Sequence, residues 1–378
     1  MNRRNCSIVT GFLFIVVLIV VVVLNLIVPD KESSDRENRM LQKLPSFSLS
    51  KYADGRFEKK MTDYFDDQFF LRTPLIKVKT SFDRATGKLE SNGVYFGRDH
   101  YLIESLTAPD PASLKKIRAD LKSFRKKHAK LKMYFMLAPN AGSVLKENVP
   151  ASVQLNDQDQ YMDRFFSSVS SSGYRAVDVR ETLKKAAGKK QIFYRTDHHW
   201  TTDGAYEAYK YSCGVMKLGK ATQYTPLTVK NDFLGTLASK SGYTSGRCDE
   251  IRIFQPKSKK HKHSVIFYTD TKKKTTRFYQ LDYLKKKDAY AVFGGSNHPM
   301  YTIETPVKSK RRLLLIKDSY ANCFVPFLTQ HFRAIVVVDP RYYFENINKL
   351  IKNEQITDVL FLYNANTFFE DRSLSMML

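Results

Sequence analysis

The sequence predicts an α/β protein in which helices cover both faces of a central sheet, in three layers. Helix-like and strand-like segments alternate from about residue 111 to residue 216, and two further strand–helix pairs follow near the end of the chain. The strand-like segments 133–137, 313–316 and 334–338 are continuously apolar, which is typical of strands buried on both faces. We therefore expect a largely parallel sheet with its ligands at one edge.

Residues 8–28 form an apolar segment near the start of the chain. About 20 residues suffice to cross a bilayer as a helix, at roughly 1.5 Å per residue. Arg3 and Arg4 precede the segment, and a basic flank favours a cytoplasmic N-terminus. We predict a cytoplasmic tail over residues 1–7, a single-pass transmembrane signal anchor over 8–28 and an extracellular remainder at the cell membrane. A cleaved signal peptide is the alternative, and it would export the same part.

The exported part divides into an arm and one large domain. Residues 29–90 are polar with scattered aromatic residues, which indicates a stalk, and residues 91–378 are long enough for an α/β domain. Within it, residues 218–310 alternate short β-like runs, such as 290–293, with lysine clusters. We interpret them as a β-rich insertion that covers the site.

Four cysteines are too few for a disulfide framework. Cys213 and Cys248 could pair in an oxidising compartment, and the sequence leaves this open. Cys323 follows one turn after a candidate serine and is interpreted as a small buried packing residue.

The chain carries 62 Lys and Arg against 38 Asp and Glu, a formal charge of +24. Such a charge attracts polyanions. Zinc-finger and RNP-type motifs are absent from the sequence and the domain is expected outside the cell, so we expect no nucleic acid partner. An anionic cell-surface glycan or membrane surface is predicted instead, and a solvated lysine-rich surface is the alternative.

A cluster of chemically active side chains stands at Asp197, His198, His199 and Trp200, directly before a predicted helix. An Asp two residues from a His can orient the imidazole that removes a proton from a nucleophile. The nucleophile must come from elsewhere in the chain.

Ser319 is the best candidate nucleophile. It follows the predicted strand 313–316 and precedes a predicted helix over 320–331, so it would lie at a strand-to-helix turn. Amide groups at the start of that helix could stabilise an oxyanion.

The Asp-x-His-Trp element at 197–200, followed later by Ile-Lys-Asp-Ser-Tyr at 316–320, resembles the DHHW family and the related alginate O-acetyltransferase group of SGNH-hydrolase-like proteins. The resemblance covers about residues 94–364. It implies a three-layer α/β/α SGNH-hydrolase-like domain with a circularly permuted motif order, Asp, His, Ser in place of Ser, Asp, His. One departure is Lys317-Asp318 before the serine, where ordinary SGNH esterases have Gly-Asp.

The resemblance implies a catalytic triad of Asp197, His199 and Ser319, with no cofactor. It further implies O-acetylation of a cell-surface or secreted glycan through an acetyl-serine intermediate. Acetyl groups would arrive from a polytopic membrane O-acyltransferase partner.

Other residues are candidates for binding substrate or an oxyanion. His198 and Trp200 adjoin the motif, and Asn140 follows a predicted strand end. The resemblance implies that Asn364 corresponds to an oxyanion-binding Asn and that Arg341 stands near the place of the corresponding Gly. For Asn140, Arg341 and Asn364 the alternatives are turns or a salt bridge.

Several alternatives remain open at this level. Asp197 could only cap the helix, His198 could be the base, or Asp197, His198 and His199 could bind a metal, although the usual zinc spacings are missing and we expect none. At the level of function, a carbohydrate acetylesterase would use the same triad. A non-catalytic glycan-binding or assembly protein would not need Ser319.

Overall fold

The computed structural model describes residues 3–34, 39–243, 246–257, 264–295 and 297–378. The chain forms two compact units. The first contains residues 1–91 together with 239–243, and the second contains residues 92–238 and 244–378.

The first unit begins with helix α1 (Arg3–Ile27). Within it, Ile8–Ile27 is long and apolar enough to cross a membrane, which fits a single-pass anchor. The Thr80 hydroxyl donates a hydrogen bond of 2.8 Å to the Ser241 carbonyl, and this contact ties residues 239–243 to the unit. The other elements of the unit are β1 (Ser33–Ser34), β2 (Arg39–Met40), α2 (Leu49–Ala53), α3 (Arg56–Gln68), α4 (Arg72–Ala85) and β3 (Glu90–Ser91).

The strands of the second unit are, in chain order, β4 (Val94–Phe96), β5 (Leu102–Glu104), β6 (Lys132–Ala138), β7 (Arg175–Ala176), β8 (Tyr224–Phe233), β9 (Asp249–Pro256), β10 (Val265–Tyr268), β11 (Lys274–Thr275), β12 (Met300–Glu304), β13 (Arg312–Lys317), β14 (Ala334–Val338) and β15 (Asp358–Asn364). The helices that follow residue 92 are α5 (Pro111–Lys127), α6 (Ala141–Val144), α7 (Gln158–Ser171), α8 (Arg180–Ala187), α9 (Thr202–Val215), α10 (Thr236–Ser241), α11 (Val325–Leu328), α12 (Ile347–Asn353), α13 (Ala365–Glu370) and α14 (Ser373–Met377).

Eight strands form the central sheet in the order β11-β10-β12-β14-β13-β15-β6-β7. The five strands from β14 to β7 are parallel, and β12, β10 and β11 continue the sheet in antiparallel fashion. These three strands come from the predicted insertion, which therefore extends the sheet. A separate antiparallel pair, β8 with β9, also lies in the insertion.

Side chains of the sheet alternate between two buried cores. In β6, Met133 and Phe135 pack in the same cluster as Leu121 of α5, whereas Tyr134 and Met136 lie in a second cluster. Because successive strand residues point to opposite faces, both faces must be covered for all of them to be buried. The fold is the three-layer α/β arrangement that the sequence predicted.

Two local predictions were wrong. The helix expected over residues 320–331 is replaced by a 3-10 turn at Ser319–Ala321 and the short α11. Pro326 lies in the first turn of α11, where its missing N–H does no harm, so the helix starts there and does not run through it. The strand expected at 290–293 is instead a 3-10 helix, Ala289–Val292.

Candidate active site

A closed loop presents the Asp197 motif. Phe193 and Trp200 form an isolated antiparallel bridge across it, and α9 begins directly afterwards. The Thr201 hydroxyl accepts a hydrogen bond of 3.2 Å from the Gly204 amide, so Thr201 caps this helix. Both ends of the loop are therefore fixed by backbone structure.

The loop and the turn after β13 bring Asp197, His199 and Ser319 together. His199 Nδ1 lies 2.6 Å from Asp197 Oδ1, and His199 Nε2 lies 2.9 Å from Ser319 Oγ. An ionised carboxylate only accepts, so Nδ1 carries the proton and Nε2 is free to accept from the serine hydroxyl. Asp197 and His199 are buried, whereas Ser319 is partly exposed. This is the geometry of a nucleophile, a base and an orienting carboxylate.

Asp197 is held as an anion by several donors. Its Oδ2 accepts hydrogen bonds from the Thr236 amide at 2.7 Å and the Thr236 hydroxyl at 2.9 Å, and its Oδ1 accepts from the His199 amide at 3.0 Å. Burial by itself would raise the pKa of Asp197, but the neighbouring imidazoles of His198 and His199 and these hydrogen bonds lower it well below its ordinary value. The carboxylate therefore stays ionised at neutral pH.

The two adjacent histidines have different partners. His199 faces Ser319 and stacks on the ring of Tyr290, with centroids 3.8 Å apart and planes at 12°. His198 places its Nδ1 2.7 Å from the Thr236 hydroxyl. Burial lowers the pKa of His198, as does the neighbouring His199. Of the two imidazoles, only that of His199 contacts the serine.

Asp318 fixes the backbone around Ser319. Its Oδ1 accepts from the Tyr320 amide at 2.9 Å, and its Oδ2 accepts from the Asn364 amide at 2.7 Å at the end of the neighbouring strand. Burial raises the pKa of Asp318. Lys317, directly before Asp318, is also buried, and its Nζ donates to Asn322 Oδ1 at 2.9 Å.

Arg341 forms a bidentate ion pair with Asp339 directly after the end of β14. Its Nε and Nη2 donate to the two carboxylate oxygens of Asp339 at 2.9 and 2.6 Å, and Lys317 lies 3.5 Å from the same carboxylate. The salt bridge considered for Arg341 is present. Its predicted role near an oxyanion stays a prediction.

Asn140 and Asn364 meet in a buried polar network at the carboxyl ends of β6 and β15. The Asn140 amide group donates to Asn364 Oδ1 at 3.1 Å and to the Glu104 carboxylate. Asn364 Nδ2 donates to the Ala138 carbonyl at 3.3 Å. These contacts join the strand ends next to the Ser319 turn. Binding of an oxyanion by either side chain stays a prediction.

Trp200 has a structural place in the core. It is fully buried, and its indole N–H donates a hydrogen bond of 2.9 Å to the Tyr320 carbonyl. A side chain without exposed surface cannot contact substrate, so the expectation that Trp200 binds substrate or an oxyanion is corrected. It ties the histidine loop to the serine turn.

Asp197, His198 and His199 also meet a distance criterion for a metal site. Their candidate ligand atoms lie within 4.8 Å of one another. In the arrangement described above, Asp197 and both Nδ1 atoms are engaged in hydrogen bonds with protein groups. Hydrogen bonds within the protein thus account for these short distances. The expectation that no metal binds stays a prediction.

Cys213, Cys248 and Cys323 are free thiols. Cys213 is buried beside His331, whereas Cys248 is exposed. The disulfide that the sequence left open between Cys213 and Cys248 is absent from this structure. Cys323 is buried as expected, and burial raises its pKa to about 12.

Sequence reasoning missed Thr236, Tyr290 and the positioning part of Asp318. Thr236 and Tyr290 lie in the segment interpreted as an insertion, and they carry no local motif that points to the Asp197 loop. The position of Asp318 directly before Ser319 could have indicated its role, but the sequence analysis treated it only as part of the Lys317-Asp318 pair that replaces Gly-Asp.

Residues 94–260 match the family model of the SGNH hydrolase-like domain of the acetyltransferase AlgX. The match includes Asp197 and His199 and ends before Ser319. The probable alginate O-acetylase AlgJ of Pseudomonas fluorescens is 28% identical over 227 residues, covering 56% of this chain and 54% of the relative. The chain thus spans about half the length of that curated relative.

Two solved structures share the fold. A DHHW family protein from Eubacterium siraeum is 24% identical with a TM-score of 0.60, covering 76% of this chain and 95% of that one. Bacillus cereus PatB1, solved with a sulfonyl adduct, is 18% identical with a TM-score of 0.60, covering 74% of this chain and 98% of that one. The chain therefore shares the fold of these two proteins, and its residues 94–260 are similar to the SGNH hydrolase-like domain of AlgX.

Proposed function

We propose that the chain is a membrane-anchored extracellular serine acyltransferase, which O-acetylates a cell-surface or secreted glycan through an acetyl-serine intermediate. The observation that carries the proposal is the 2.9 Å distance from Ser319 Oγ to His199 Nε2, with Asp197 2.6 Å from His199 Nδ1. The likeness to a probable alginate O-acetylase supports acetyl as the group and a polysaccharide as the acceptor.

In the first half-reaction, Ser319 Oγ attacks the carbonyl carbon of an acetyl donor. His199 Nε2 takes the hydroxyl proton as the new C–O bond forms, and Asp197 stabilises the resulting imidazolium. The imidazolium then gives that proton to the leaving group as the bond between the acetyl carbon and the donor breaks. The products are acetyl-Ser319 and the freed donor.

In the second half-reaction, a glycan hydroxyl replaces the donor. His199 removes its proton, the glycan oxygen attacks the acetyl carbon, and the bond to Ser319 Oγ breaks. The imidazolium returns the proton to Ser319, so the enzyme is regenerated. With water in place of the glycan, the same steps would make the protein an acetylesterase.

We assign the backbone amide of Ser319 to oxyanion binding. The amides of Tyr320 and Asn322 donate to the Asp318 carboxylate and the Ser319 carbonyl, and so are engaged. Among the residues that the structure describes, no acceptor pairs with the Ser319 amide. A further donor from His198, Asn140, Arg341 or Asn364 would complete the site.

Because acetyl-CoA is cytoplasmic, an extracellular enzyme needs a donor delivered across the bilayer. A polytopic membrane O-acyltransferase is the partner we propose for this step. The apolar stretch Ile8–Ile27 would hold the two proteins in the same membrane, with the N-terminus in the cytoplasm. An anionic glycan or membrane surface suits the net charge of +24.

The test is intact-mass spectrometry of the full chain in uncharged detergent after incubation with p-nitrophenyl acetate. Wild type should gain one acetyl group, Ser319→Ala should gain none, and His199→Ala should react at least about a hundredfold more slowly. His128→Ala is the matched control, because its imidazole hydrogen-bonds Asn348 at the opposite edge of the sheet and belongs to no part of the Ser319 site, and it should keep the wild-type rate.

Glycan added to the acetylated protein then separates the possible activities. Transfer of acetyl to the glycan supports the acyltransferase, and release of free acetate that glycan does not change supports the esterase. Unmodified Ser319 in a folded protein would contradict both. The glycan-binding or assembly alternative would then be favoured.

A further inference from the structure

The edge of the sheet opposite Ser319 is a continuous row of strand beginnings. Backbone hydrogen bonds join Arg333 to Arg311, Thr357 to Arg312 and Lys132 to Thr357, at 2.9, 2.9 and 3.1 Å. Parallel strands all start at the same edge, and Ser319 follows the far end of β13. With six residues in β13, this edge lies about 20 Å from the nucleophile.

Lysines are concentrated at this edge, on the strand beginnings and on the helix ends beside them. The end of α9 belongs to it, because the Arg311 guanidinium donates to the carbonyls of Met216 and Lys217 at 3.2 and 3.1 Å. We call this surface the basic edge. Its exposed lysines are Lys126, Lys127, Lys130, Lys132, Lys217, Lys220, Lys308, Lys310, Lys349 and Lys352.

The carboxylates of the basic edge are already bound to arginines. Asp358 pairs with Arg311, and Glu354 lies 3.2 Å from Arg312. Glu304, at the end of β12, lies 3.7 Å from Arg312 as well. Each of these three carboxylates thus has an arginine beside it, and within the part of the chain that the structure describes none of them pairs with a lysine of the edge.

Among the described residues, none of the ten lysines of the basic edge takes part in an ion pair. Some lysines elsewhere do, such as Lys146 with Asp159 at 3.1 Å and Lys190 with Glu207 at 2.8 Å, and others do not. Clustered like charges raise the electrostatic potential and destabilise the folded state through self-repulsion, unless a counter-charge binds. The ten lysines of the basic edge therefore lack an acidic partner among the described residues.

We propose that the basic edge binds a polyanionic polymer with repeating phosphate or carboxylate groups. Two of the lysines, Lys308 and Lys310, line an open hollow of roughly 560 Å³ together with Arg333, and this hollow is not an enclosed pocket for one small anion. The lysines lie on several elements along one edge of the sheet, and a polymer with repeated anionic groups can contact several of them at once.

A polymer fits this surface better than a bilayer does. Surfaces that dock on membranes combine basic residues with apolar side chains that insert between lipids. The most exposed aromatic side chain of this unit, Phe344 at 87%, follows the end of β14 and so lies toward the other edge, as does Tyr342. The proposal is independent of the proposed catalysis, because the basic edge contains no residue of the Ser319 site.

The test is fluorescence anisotropy of labelled long-chain polyphosphate, and separately of polygalacturonate, with the full chain in uncharged detergent at about 0.1 M salt. The edge variant changes Lys217, Lys220, Lys308 and Lys310 to Gln. The matched control changes the same number of exposed unpaired lysines away from the basic edge, namely Lys115, Lys272, Lys273 and Lys285. Both variants lose the same charge.

We expect the edge variant to bind at least about tenfold more weakly and with a flatter salt dependence, and the control to change by less than about threefold. Binding by both polymers would identify charge density as the determinant, and binding by one would identify its anionic group. Equal weakening in both variants would overturn the proposal, because binding would then follow net charge. It would also be overturned if wild type bound neither polymer but bound vesicles of phosphatidylglycerol.

A thermal unfolding curve for each variant shows that it is folded. Acetylation of Ser319 should be the same in wild type and the edge variant. The polymer should bind equally well to Ser319→Ala, so failure of the catalytic proposal would leave this one intact.

Discussion

Gly235 lies so close to Asp197 that a methyl group has no room. A Cβ added at residue 235 would lie 2.2 Å from the Asp197 Cβ and 2.4 Å from its Oδ2. Non-bonded carbons pack at about 3.5–4.0 Å, so in Gly235→Ala the two groups must separate by roughly 1.5 Å.

That displacement is larger than the hydrogen bond to His199 can absorb. The bond is 2.6 Å long, and a shift of this size takes it beyond the range of about 3.2 Å. The imidazole would lose its orienting carboxylate, and an error of about 1 Å in such a site costs around a hundredfold in rate. We expect Gly235→Ala to acetylate Ser319 about 10² to 10⁴ times more slowly, or roughly 3–5 kcal/mol in barrier.

The assay is the rate of Ser319 acetylation by p-nitrophenyl acetate, measured beside a thermal unfolding curve. Overpacking is expected to cost about 1–3 kcal/mol of stability, so the assay temperature is set below the unfolding transition. Gly214→Ala in α9 is the matched control, because no atom lies within 4 Å of the added Cβ. It should keep the wild-type rate and gain roughly 0.5–1 kcal/mol of stability. A folded Gly235→Ala protein that kept more than about a third of the wild-type rate would refute the reasoning.

Two predictions concern the stability that buried ionisable groups outside the triad contribute. Burial lowers the pKa of His331, which lies 2.7 Å from the Tyr209 hydroxyl, to about 4. In the unfolded chain the pKa of His331 is higher, near 6.5, so the unfolded state takes up a proton first as the pH falls. The free energy of unfolding therefore has its full value above pH 6.5 and decreases by up to about 3 kcal/mol as the pH falls toward 4. Between pH 7 and pH 4.5, the free energy of unfolding in urea should decrease less for His331→Gln than for wild type. Equal decreases in the two proteins would contradict this. Lys317→Met leaves Asp339 paired with Arg341 but removes the donor to Asn322, and it should cost about 1–3 kcal/mol of unfolding free energy. Unchanged stability in urea would show that the buried Lys317 contributes nothing.

The central strands could be predicted because their patterns are strong and local. The runs in β6, β13 and β14 are apolar throughout, and burial on both faces leaves few other places for such segments. The helix after Ser319 was predicted wrongly because the prediction followed the apolar periodicity and ignored Pro326, which favours the first turn of a helix over its interior. The 3-10 helix at 289–292 was predicted as a strand because a short apolar run does not reveal its own period.

The sequence alone determined which groups are available at the site. Asp197 and His199 lie two residues apart, so a single loop can orient one by the other, and Ser319 follows a strand that must be buried. A role that depends on residues close together in the sequence can be predicted from the sequence alone.

Only the tertiary structure decided which histidine meets the serine and what holds Asp197 in place. Thr236 and Tyr290 reach the site from segments about 40 and 90 residues further along the chain. It also decided that lysines scattered from residue 126 to residue 352 share one edge. These contacts depend on the order in which strands join a sheet, and no local pattern of side chains encodes that order because it follows from the packing of the whole chain.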